Sequence, residues 1–421
     1  MFHKTTLANN THILVENVPH VRSVAVGFWV DVGSRHENGK NNGVSHFIEH
    51  LLFKGTEKRT AKEIAEALDA VGGQLNAFTT KEYTCYYARV LDEHLDLAID
   101  LLSDMLFNSK FAPDEIDRER NVIIEEIKMY EDSPDELVHD IFAGSMWQGH
   151  ALGRPIIGTA EVVDQITRED ILDFYHSNYK PGNLVLTVAG NIDQEQATEK
   201  LRRIVENKSG QVPERPALIP APVRDVVCRN KDTEQVHLCV GAQGVSLEDD
   251  KYYAFQLLNT VLGGGISSRL FQEIREQRGL VYSVYSYHSS FHDTGLFCIY
   301  AGLSKQNMDE ALDLIFKQVA DIRAHSVTAV ELQRAKDQIK GNLLLSLESV
   351  STRMSRLGKS QLYLGRVIPP DEVVEKLNQV TLAEIQALAV EMLAPAKFSM
   401  ATVGPWSDNG QLQQTLERYK G

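Results

Sequence analysis

The two halves of the sequence repeat one spacing of residues. Two triplets, each spanning a helical pattern, a turn and an apolar strand pattern, share separations of 14 and 9 residues: Thr167, Pro181 and Gly190, and Thr381, Pro395 and Gly404. Segments 115–118 and 331–334 also resemble each other and open long helical patterns at nearly the same offset. An internal duplication of about 215 residues explains these spacings. We therefore predict a fold that is built twice.

A proline-rich stretch separates the two repeats. Four prolines, at positions 213, 216, 220 and 222, lie in a segment without hydrophobic periodicity, which is typical of a stiff, extended linker. A chain of 421 residues is also too long for one ordinary hydrophobic core. We predict a catalytic domain over residues 1–208, a linker over 209–223 and a second domain over 224–421.

The composition is that of a globular protein and excludes some partners. Hydrophobic residues make up 43% and charged residues 24% of the chain, and the formal net charge is −15. Nucleic acid is excluded as a partner because phosphate binding depends on lysine and arginine. The acidic balance would favour basic ligands, although an acidic surface most often serves only to keep a protein soluble.

The sequence carries no targeting or membrane signal that we recognise. The first ten residues lack the apolar core of a signal peptide, and no apolar run approaches the roughly 18 residues of a membrane span. The four cysteines, at positions 85, 228, 239 and 298, include no Cys-x-x-Cys pair and are interpreted as buried thiols of a reducing compartment. We expect a cytoplasmic protein with no membrane partner.

The pattern His-x-x-Glu-His occurs once, at residues 46–50. On a helix, residues three and four apart share a face, so His46 and His50 point the same way with Glu49 beside them. One metal ion can take both imidazoles while the carboxylate stays free to act as a base. Packed or solvated histidines are the alternative. A hydrolytic zinc site usually has three protein ligands, so a third must come from elsewhere.

Strand patterns surround this motif. The alternation Val24, Val26, Phe28, Val30 predicts a strand that buries one face. Residues 74–79 and 84–90, which follow two glycines, predict a strand pair. We expect an edge of this pair to lie near the motif helix.

A predicted helix over residues 113–130 offers the third ligand. Glu119 and Glu126 are seven residues apart and share a face with apolar residues, where carboxylates need a cation or a partner. Solvated glutamates at the edge of a helix are the alternative, and Glu125 competes with Glu126 as the ligand. In the second repeat, the corresponding positions carry Asn342 and a helix without His or Glu. The second half is therefore not expected to bind the metal.

Taken together, these segments resemble the pitrilysin-type (M16, inverzincin) zinc peptidases, and within them the bacterial relatives of the mitochondrial processing peptidase β-subunit. The resemblance covers nearly the whole chain. It is carried by Gly33-Ser34-Arg35, His46-Phe47-Ile48-Glu49-His50, Phe53-Lys54-Gly55-Thr56, Asn76-Ala77-Phe78-Thr79, Glu119 with Glu126, and Leu262-Gly263-Gly264-Gly265-Ile266-Ser267-Ser268-Arg269-Leu270-Phe271 through Arg275 and Tyr282.

The resemblance implies an α+β fold of two duplicated halves, each a mostly antiparallel sheet packed with helices, which together form a two-lobed chamber. It implies one zinc ion per chain held by His46, His50 and Glu126, with Glu49 as general base. Glu119 is implied to orient the site. The remaining implied contacts are with a peptide: Asn76, Ala77 and Phe78 take it as an added strand, and Arg275 and Tyr282 reach it from the second half.

The sequence thus predicts a zinc-dependent endopeptidase that hydrolyses peptides or unfolded segments in an enclosed chamber. The alternative is a non-catalytic or partner-dependent member of the same family that serves as a peptide-binding or assembly subunit. A degenerate subunit would lack part of the motif, whereas His46, Glu49, His50 and Glu126 are all present. Because one chain carries both the motif and the Gly263–Gly265 loop, we expect a homodimer rather than an obligate heterodimer.

Overall fold

A computed structural model describes residues 2–213, 215, 218–405 and 409–419 of the chain. The first half of the sequence contains fourteen labelled elements: β1 (Phe2–Thr6), β2 (His12–Asn17), β3 (Ser23–Val30), α1 (Val44–Leu51), α2 (Ala61–Asp69), β4 (Gln74–Thr79), β5 (Thr84–Leu91), α3 (Leu95–Asn108), α4 (Pro113–Glu131), α5 (Pro134–Met146), α6 (Ala160–Gln165), α7 (Arg168–Asn178), β6 (Leu184–Gly190) and α8 (Gln194–Val205). The predicted helices and the predicted strand pair are present, and β1 is an additional strand.

The second half contains twelve labelled elements: β7 (Val226–Asn230), β8 (Val236–Gly244), α9 (Tyr252–Gly263), β9 (Val281–Ser290), β10 (Gly295–Leu303), α10 (Met308–His325), α11 (Ala329–Ser346), α12 (Val350–Leu364), α13 (Pro370–Gln379), α14 (Leu382–Met392), β11 (Ser399–Gly404) and α15 (Asn409–Arg418). A π-helical segment, Phe271–Glu276, precedes β9. None of the described helices is long and apolar enough to cross a membrane.

The two sheets share the same order over five strands, and the first sheet has β1 as an additional edge strand. The first has strand order β1-β2-β6-β3-β5-β4, and the second has β7-β11-β8-β10-β9. In each sheet one pair is parallel, β2 with β6 and β7 with β11, and the other pairs are antiparallel. The predicted α+β fold with two duplicated halves, each built on a mostly antiparallel sheet, is therefore confirmed.

The repeated residues of the sequence have the same structural role in both halves. Thr167 and Thr381 cap helices α7 and α14, each accepting a hydrogen bond from the backbone N–H three residues later. Gly190 and Gly404 end β6 and β11 with φ of +149° and +156°. A Cβ at Gly190 would lie 2.3 Å from a neighbouring strand oxygen, so only glycine fits there. Local chemistry of this kind made the duplication visible in the sequence.

The chain forms two compact units whose segments alternate along the sequence. The first comprises Met1–Ile127, Arg154–Ala217 and Leu345–Val367, and the second comprises the remaining segments. Helix α12 thus belongs to the first unit, and α5 belongs to the second. Among the described residues of 206–225, none lies in a helix or strand; Glu214, Pro216 and Ala217 of the predicted linker lie outside the described residues. The domain boundaries at 208 and 224 stay a prediction.

Helix α12, which comes from the second half of the sequence but belongs to the first unit, packs against strand β3. Val24, Val26, Phe28 and Val30 pack into one core of the first unit, and Trp29 on the opposite face packs with Met354 of α12. A Cβ at Gly358 of α12 would lie 2.2 Å from the Trp29 indole, which shows how closely helix and sheet approach. The prediction that β3 buries one face was wrong, because a helix from the distant second half covers the other face.

Candidate active site

Backbone N–H groups at the start of the motif helix α1 donate hydrogen bonds to a buried carboxylate. The first residues of the helix follow Gly43, which has a φ of +99°. Glu37 is buried and accepts hydrogen bonds from the backbone N–H groups of Gly43 at 2.7 Å and Ser45 at 2.8 Å. Asn42 donates a third from its side chain at 2.9 Å. Burial raises the pKa of Glu37, and these hydrogen bonds oppose that shift. Glu37 therefore fixes the start of α1.

The two faces of α1 have different roles. Val44, Phe47, Ile48 and Leu51 are buried in the core of the first unit, so the helix cannot rotate without exposing them. His46, Glu49 and His50 lie on the opposite, partly exposed face, where the two imidazole rings are 4.7 Å apart. Apolar packing thus aims all three functional side chains of the motif in one direction.

Helix α4 brings the carboxylate of Glu126 to both histidines. One Glu126 oxygen lies 4.0 Å from Nε2 of His46, and the other lies 3.6 Å from Nε2 of His50. The three side chains form a cluster whose ligand atoms all lie within 4.8 Å of one another. Glu125, the competing carboxylate, is exposed on the same helix and is not part of that cluster.

The donor set fits a zinc ion. Ligand atoms around tetrahedral zinc are separated by about 3.4 Å when metal–nitrogen and metal–oxygen distances are about 2.1 Å, so the 3.6 Å and 4.0 Å separations need only a small contraction. Two imidazoles and one carboxylate also make up a common hydrolytic ligand set. Burial and the neighbouring His50 lower the pKa of His46 to about 3, which keeps that imidazole neutral, as a metal ligand must be.

Glu119 holds His50 in the orientation that a metal requires. His50 donates from Nδ1 to a Glu119 oxygen at 3.0 Å, which leaves Nε2 free to face Glu126. Glu119 is buried, and Lys54 pairs with its other oxygen at 2.8 Å. A carboxylate that receives the second N–H of a ligating histidine fixes both its tautomer and its ring position. The buried charge of Glu119 is itself compensated by Lys54.

Glu49 is held beside the cluster by a strand residue. Thr79, the last residue of β4, donates its hydroxyl to a Glu49 oxygen at 2.5 Å. Burial raises the pKa of Glu49, while the Thr79 hydrogen bond and His50 lower it and Glu126 raises it further. A carboxylate in such surroundings can accept a proton more readily than an exposed one.

The predicted peptide-binding residues lie on an edge strand. Strand β4 is the last in its sheet and pairs with β5. Asn76 is exposed, and its side-chain oxygen accepts a hydrogen bond from the N–H of Ala77 at 2.8 Å. Phe78 packs edge-on against Trp29, Tyr83 and Tyr87. The Phe78 side chain is therefore anchored in an aromatic cluster, while the strand presents its backbone edge.

The structure places Arg275 and Tyr282 in the second unit. Arg275 lies in the π-helical segment, with its guanidinium 4.9 Å from the centre of the Phe271 ring. Tyr282 on β9 is 75% exposed, so it is not a core aromatic of its strand. His46, Glu49 and His50 of the motif, with Glu119 and Glu126 of α4, belong to the first unit.

Three residues of the site were not predicted from the sequence: Glu37, Lys54 and Thr79. Glu37 lies outside the predicted helices and strands, and nothing in its local pattern indicates burial. Lys54 follows His50 by four residues, which puts it one turn further along, and that spacing was the signal that could have identified it. Thr79 ends the predicted strand, and only the packing of α1 against β4 shows its partner.

Family models and relatives identify the chain. The model described as "Insulinase (Peptidase family M16)" matches residues 12–160, and the model "Peptidase M16 inactive domain" matches residues 165–339. The protein named "Uncharacterized zinc protease YmxG" of Bacillus subtilis is 44% identical over 408 residues, which is 96% of this chain and 98% of that protein. The chain belongs to peptidase family M16.

Other proteins resemble it along most of their length. The "Uncharacterized zinc protease SCO5738" of Streptomyces coelicolor is 43% identical over 96% of this chain and 90% of its own. A solved structure described as a peptidase M16 inactive domain, from Pseudomonas fluorescens, superposes with a TM-score of 0.90 over 97% of this chain and 98% of its own. A protease from Helicobacter pylori gives 0.89 over 96% and 99%. These structures are 20% identical to this chain and show the fold. The names of the relatives support a zinc peptidase at the level of the family.

Proposed function

We propose that this M16 protein is a zinc-dependent endopeptidase that hydrolyses peptides or unfolded segments in an enclosed chamber. The observation that carries the proposal is the convergence of His46, His50 and Glu126. The Glu49 carboxylate lies beside this cluster without being one of its ligands and accepts a hydrogen bond from Thr79. His46, His50 and Glu126 hold one zinc ion per chain. Zinc bound there supplies a Lewis acid, which lowers the pKa of a water molecule and polarises a scissile carbonyl.

Residues of the protein carry out the proton transfers and keep the side chains of the site oriented. Glu49 takes a proton from the attacking water and returns it to the leaving amine. The Thr79 hydroxyl keeps the Glu49 carboxylate oriented while it changes charge. Glu119 and Lys54 keep His50 in the tautomer that leaves its Nε2 lone pair available.

The substrate lies along β4 as an added strand. An edge strand offers unpaired backbone groups on one side, and a peptide in extended form can satisfy them without any demand on its side chains. Asn76, Ala77 and Phe78 form that edge. Because the same strand ends at Thr79, which contacts Glu49, a peptide paired there runs toward the general base.

Arg275 and Tyr282 contact the substrate as additional donors. A tetrahedral oxyanion gains much of its stabilisation from donors aimed at the developing charge. The phenol of Tyr282 is 75% exposed and available to a ligand. The acidic balance of the chain, with a net charge of −15, favours basic peptides.

A non-catalytic or partner-dependent subunit is the second candidate. It is disfavoured because Glu49, which a binding subunit does not need, is buried at a cost to its charged form and held by Thr79. A homodimer and a cytoplasmic location stay predictions from the sequence.

The deciding experiment uses the full chain expressed alone. Cleavage of unstructured peptides is measured before metal removal, after removal, and after addition of one equivalent of zinc per chain. Activity that disappears with the metal and returns with zinc supports the proposal. Zinc binding without cleavage would favour the subunit role. Cleavage that is unaffected by metal removal would exclude a zinc peptidase.

A further inference from the structure

A second cluster of metal-ligating side chains lies in the second unit, away from the sequence motif. It combines His139 of α5 with Cys239 of β8 and Cys298 of β10. All three belong to the same compact unit. Both cysteines are fully buried, and His139 is partly exposed. The site therefore joins a helix from the first half of the sequence to two strands from the second half.

The strand register puts both thiols on the face that α5 covers. Cys239 pairs with Tyr300, and Cys298 pairs with Gly241. Residues two apart on a strand point to the same side, so the two cysteines are diagonal neighbours on one face. The apolar cluster on this face includes Leu137, Val138 and Phe142 of α5. Within that apolar surface, the thiols face the one imidazole that the helix presents to them.

The distances match those around a small, thiophilic cation. The ligand atoms of the three residues all lie within 4.8 Å of one another, and Sγ of Cys239 lies 3.3 Å from Nδ1 of His139. A tetrahedral ion with sulfur at about 2.3 Å and nitrogen at about 2.0 Å separates these two atoms by about 3.5 Å. The Cys239–His139 pair is thus already close to the separation that a metal requires, and the other two pairs are at most 4.8 Å apart.

His139 is oriented by hydroxyl groups in the way that ligating histidines usually are. The Tyr285 hydroxyl lies 3.2 Å from Nε2, so Nε2–H can donate to it and leave the Nδ1 lone pair facing Cys239. In that tautomer the Tyr287 hydroxyl, 2.8 Å from Nδ1, donates to it, and a metal ion bound at Nδ1 takes the place of this hydrogen bond. A partner on the second ring nitrogen fixes the tautomer and strengthens the ligand.

We propose that His139, Cys239 and Cys298 bind one thiophilic cation, Zn²⁺ or Cu⁺, which links α5 to strands β8 and β10. Thiolate and imidazole together select such ions over Mg²⁺ or Ca²⁺. Binding replaces the two thiol protons by metal–sulfur bonds and releases both protons to solvent. The proposal does not rest on peptidase activity, and His46, His50 and Glu126 take no part in it.

A disulfide is the competing use of two neighbouring cysteines. Diagonal positions across antiparallel strands have Cα atoms about 7–8 Å apart, whereas a disulfide requires less than about 7 Å. The cysteines are free thiols in this structure. A bridging ion spans the longer separation without moving the strands, so the geometry favours a metal.

Cobalt(II) provides a test that separates this cluster from the motif site. The full chain is reduced with a reagent that contains no thiol, freed of metal and titrated with Co²⁺. Sulfur ligands give an intense thiolate-to-cobalt charge-transfer absorption, and the motif site has only nitrogen and oxygen donors. We expect this absorption to saturate between one and two equivalents of Co²⁺ per chain, because the motif site also takes the ion without contributing to the absorption. Displacement of cobalt by Zn²⁺ and Cu⁺ shows which ion binds more tightly.

Variants assign the absorption to individual side chains. Cys239→Ser, Cys298→Ser and His139→Gln should each abolish or strongly reduce it, while Cys228→Ser and Cys85→Ser, which alter cysteines outside the cluster, should leave it unchanged. Tyr285→Phe keeps every ligand and removes the partner of Nε2, so it should retain the absorption with roughly 10- to 100-fold weaker affinity. Near-ultraviolet circular dichroism shows whether each variant is folded.

The outcome is decisive in both directions. Because burial can slow metal uptake, the titration is repeated on protein refolded in the presence of Co²⁺. No thiolate-to-cobalt absorption in either experiment, or absorption that survives both cysteine substitutions, would overturn the proposal. A cross-link between residues 239 and 298 that forms readily in air, in protein that never binds cobalt, would identify a disulfide pair instead.

Discussion

The two units share one sheet topology but differ in the helix that follows the central strand. In the first unit α1 presents His46, Glu49 and His50, while in the second unit α9 carries neither histidine nor glutamate. Asn342 stands 216 residues after Glu126, on the helix α11. The second unit folds to the same plan without these groups. The fold therefore does not need them, and the proposed chemistry explains why they converge in the first unit.

Electrostatics supports the same conclusion. Burial raises the pKa of Glu49 and lowers that of His46, which means that the charged forms of both groups are disfavoured in the folded protein. The equivalent helix of the second unit, α9, instead buries apolar residues such as Phe255, Leu258 and Leu262. Substitutions in the motif should thus affect catalysis and metal binding far more than the stability of the fold.

The largest effect expected from this comparison is that of Glu49→Gln. The amide keeps the shape of the side chain but cannot accept a proton, so hydrolysis should fall by roughly 10²- to 10⁴-fold. Zinc content and the thermal midpoint should remain near those of the parent. Peptide turnover and metal analysis are measured on the same sample, with Glu125→Gln as the control on the exposed side of α4. A Gln variant with most of its activity would remove Glu49 from the mechanism.

The second prediction compares the neighbouring carboxylates of α4. Glu126→Gln should weaken zinc retention by more than the roughly 10- to 100-fold typical of losing an outer partner of a ligand. Glu125→Gln should bind zinc like the parent, because only Glu126 lies beside both histidines. Zinc remaining after dialysis against graded chelator gives the comparison. Equal losses in the two variants would contradict the assignment.

The third prediction tests whether the second unit, which lacks the His-x-x-Glu-His motif, takes part in the reaction. Tyr282→Phe should lower turnover by roughly a hundredfold if the phenol donates to the transition state, with zinc content unchanged. Tyr253→Phe, a matching substitution on α9 in the same unit, should have no such effect. If the Tyr282 variant cleaves at the parent rate, the second unit contributes no donor through this residue.

The sequence predicted those parts of the molecule that depend on local chemistry. The motif helix, the helix that carries Glu119 and Glu126, and the capping threonines of the repeat all follow from spacing within a few turns. For Glu119 and Glu126, the sequence predicted the face of the helix on which they lie, but not the side chain that each one contacts. Glu126 was selected over Glu125 through the family resemblance, because periodicity alone does not show which side of the helix faces the histidines.

Features that depend on distant parts of the chain could not be predicted in this way. An apolar face on α12 shows that the helix packs against something, but not that Trp29 of the first half is its partner. His139, Cys239 and Cys298 are separated by 100 and 59 residues, and only the exchange of α5 into the second unit brings them together. The role of Glu37 becomes visible only in the structure, where its carboxylate accepts hydrogen bonds from the backbone N–H groups of Gly43 and Ser45.

The smallest effect concerns the way in which the two equivalent helices begin. Helix α1 is eight residues long and starts on the buried Glu37 carboxylate, whereas α9 is twelve residues long and has no side-chain cap. Each Glu37 oxygen accepts a hydrogen bond from a backbone N–H group. In Glu37→Gln one of these backbone N–H groups must face the side-chain NH₂ and lose its acceptor. An unsatisfied buried donor costs about 1–3 kcal/mol, which we expect to measure as a lower denaturation midpoint with an unchanged slope. Glu63→Gln, in the exposed capping box of α2, keeps an amide oxygen that can still accept the Thr60 N–H, and should change the midpoint little. Equal effects of the two substitutions would show that burial of Glu37 is not what holds the motif helix in place.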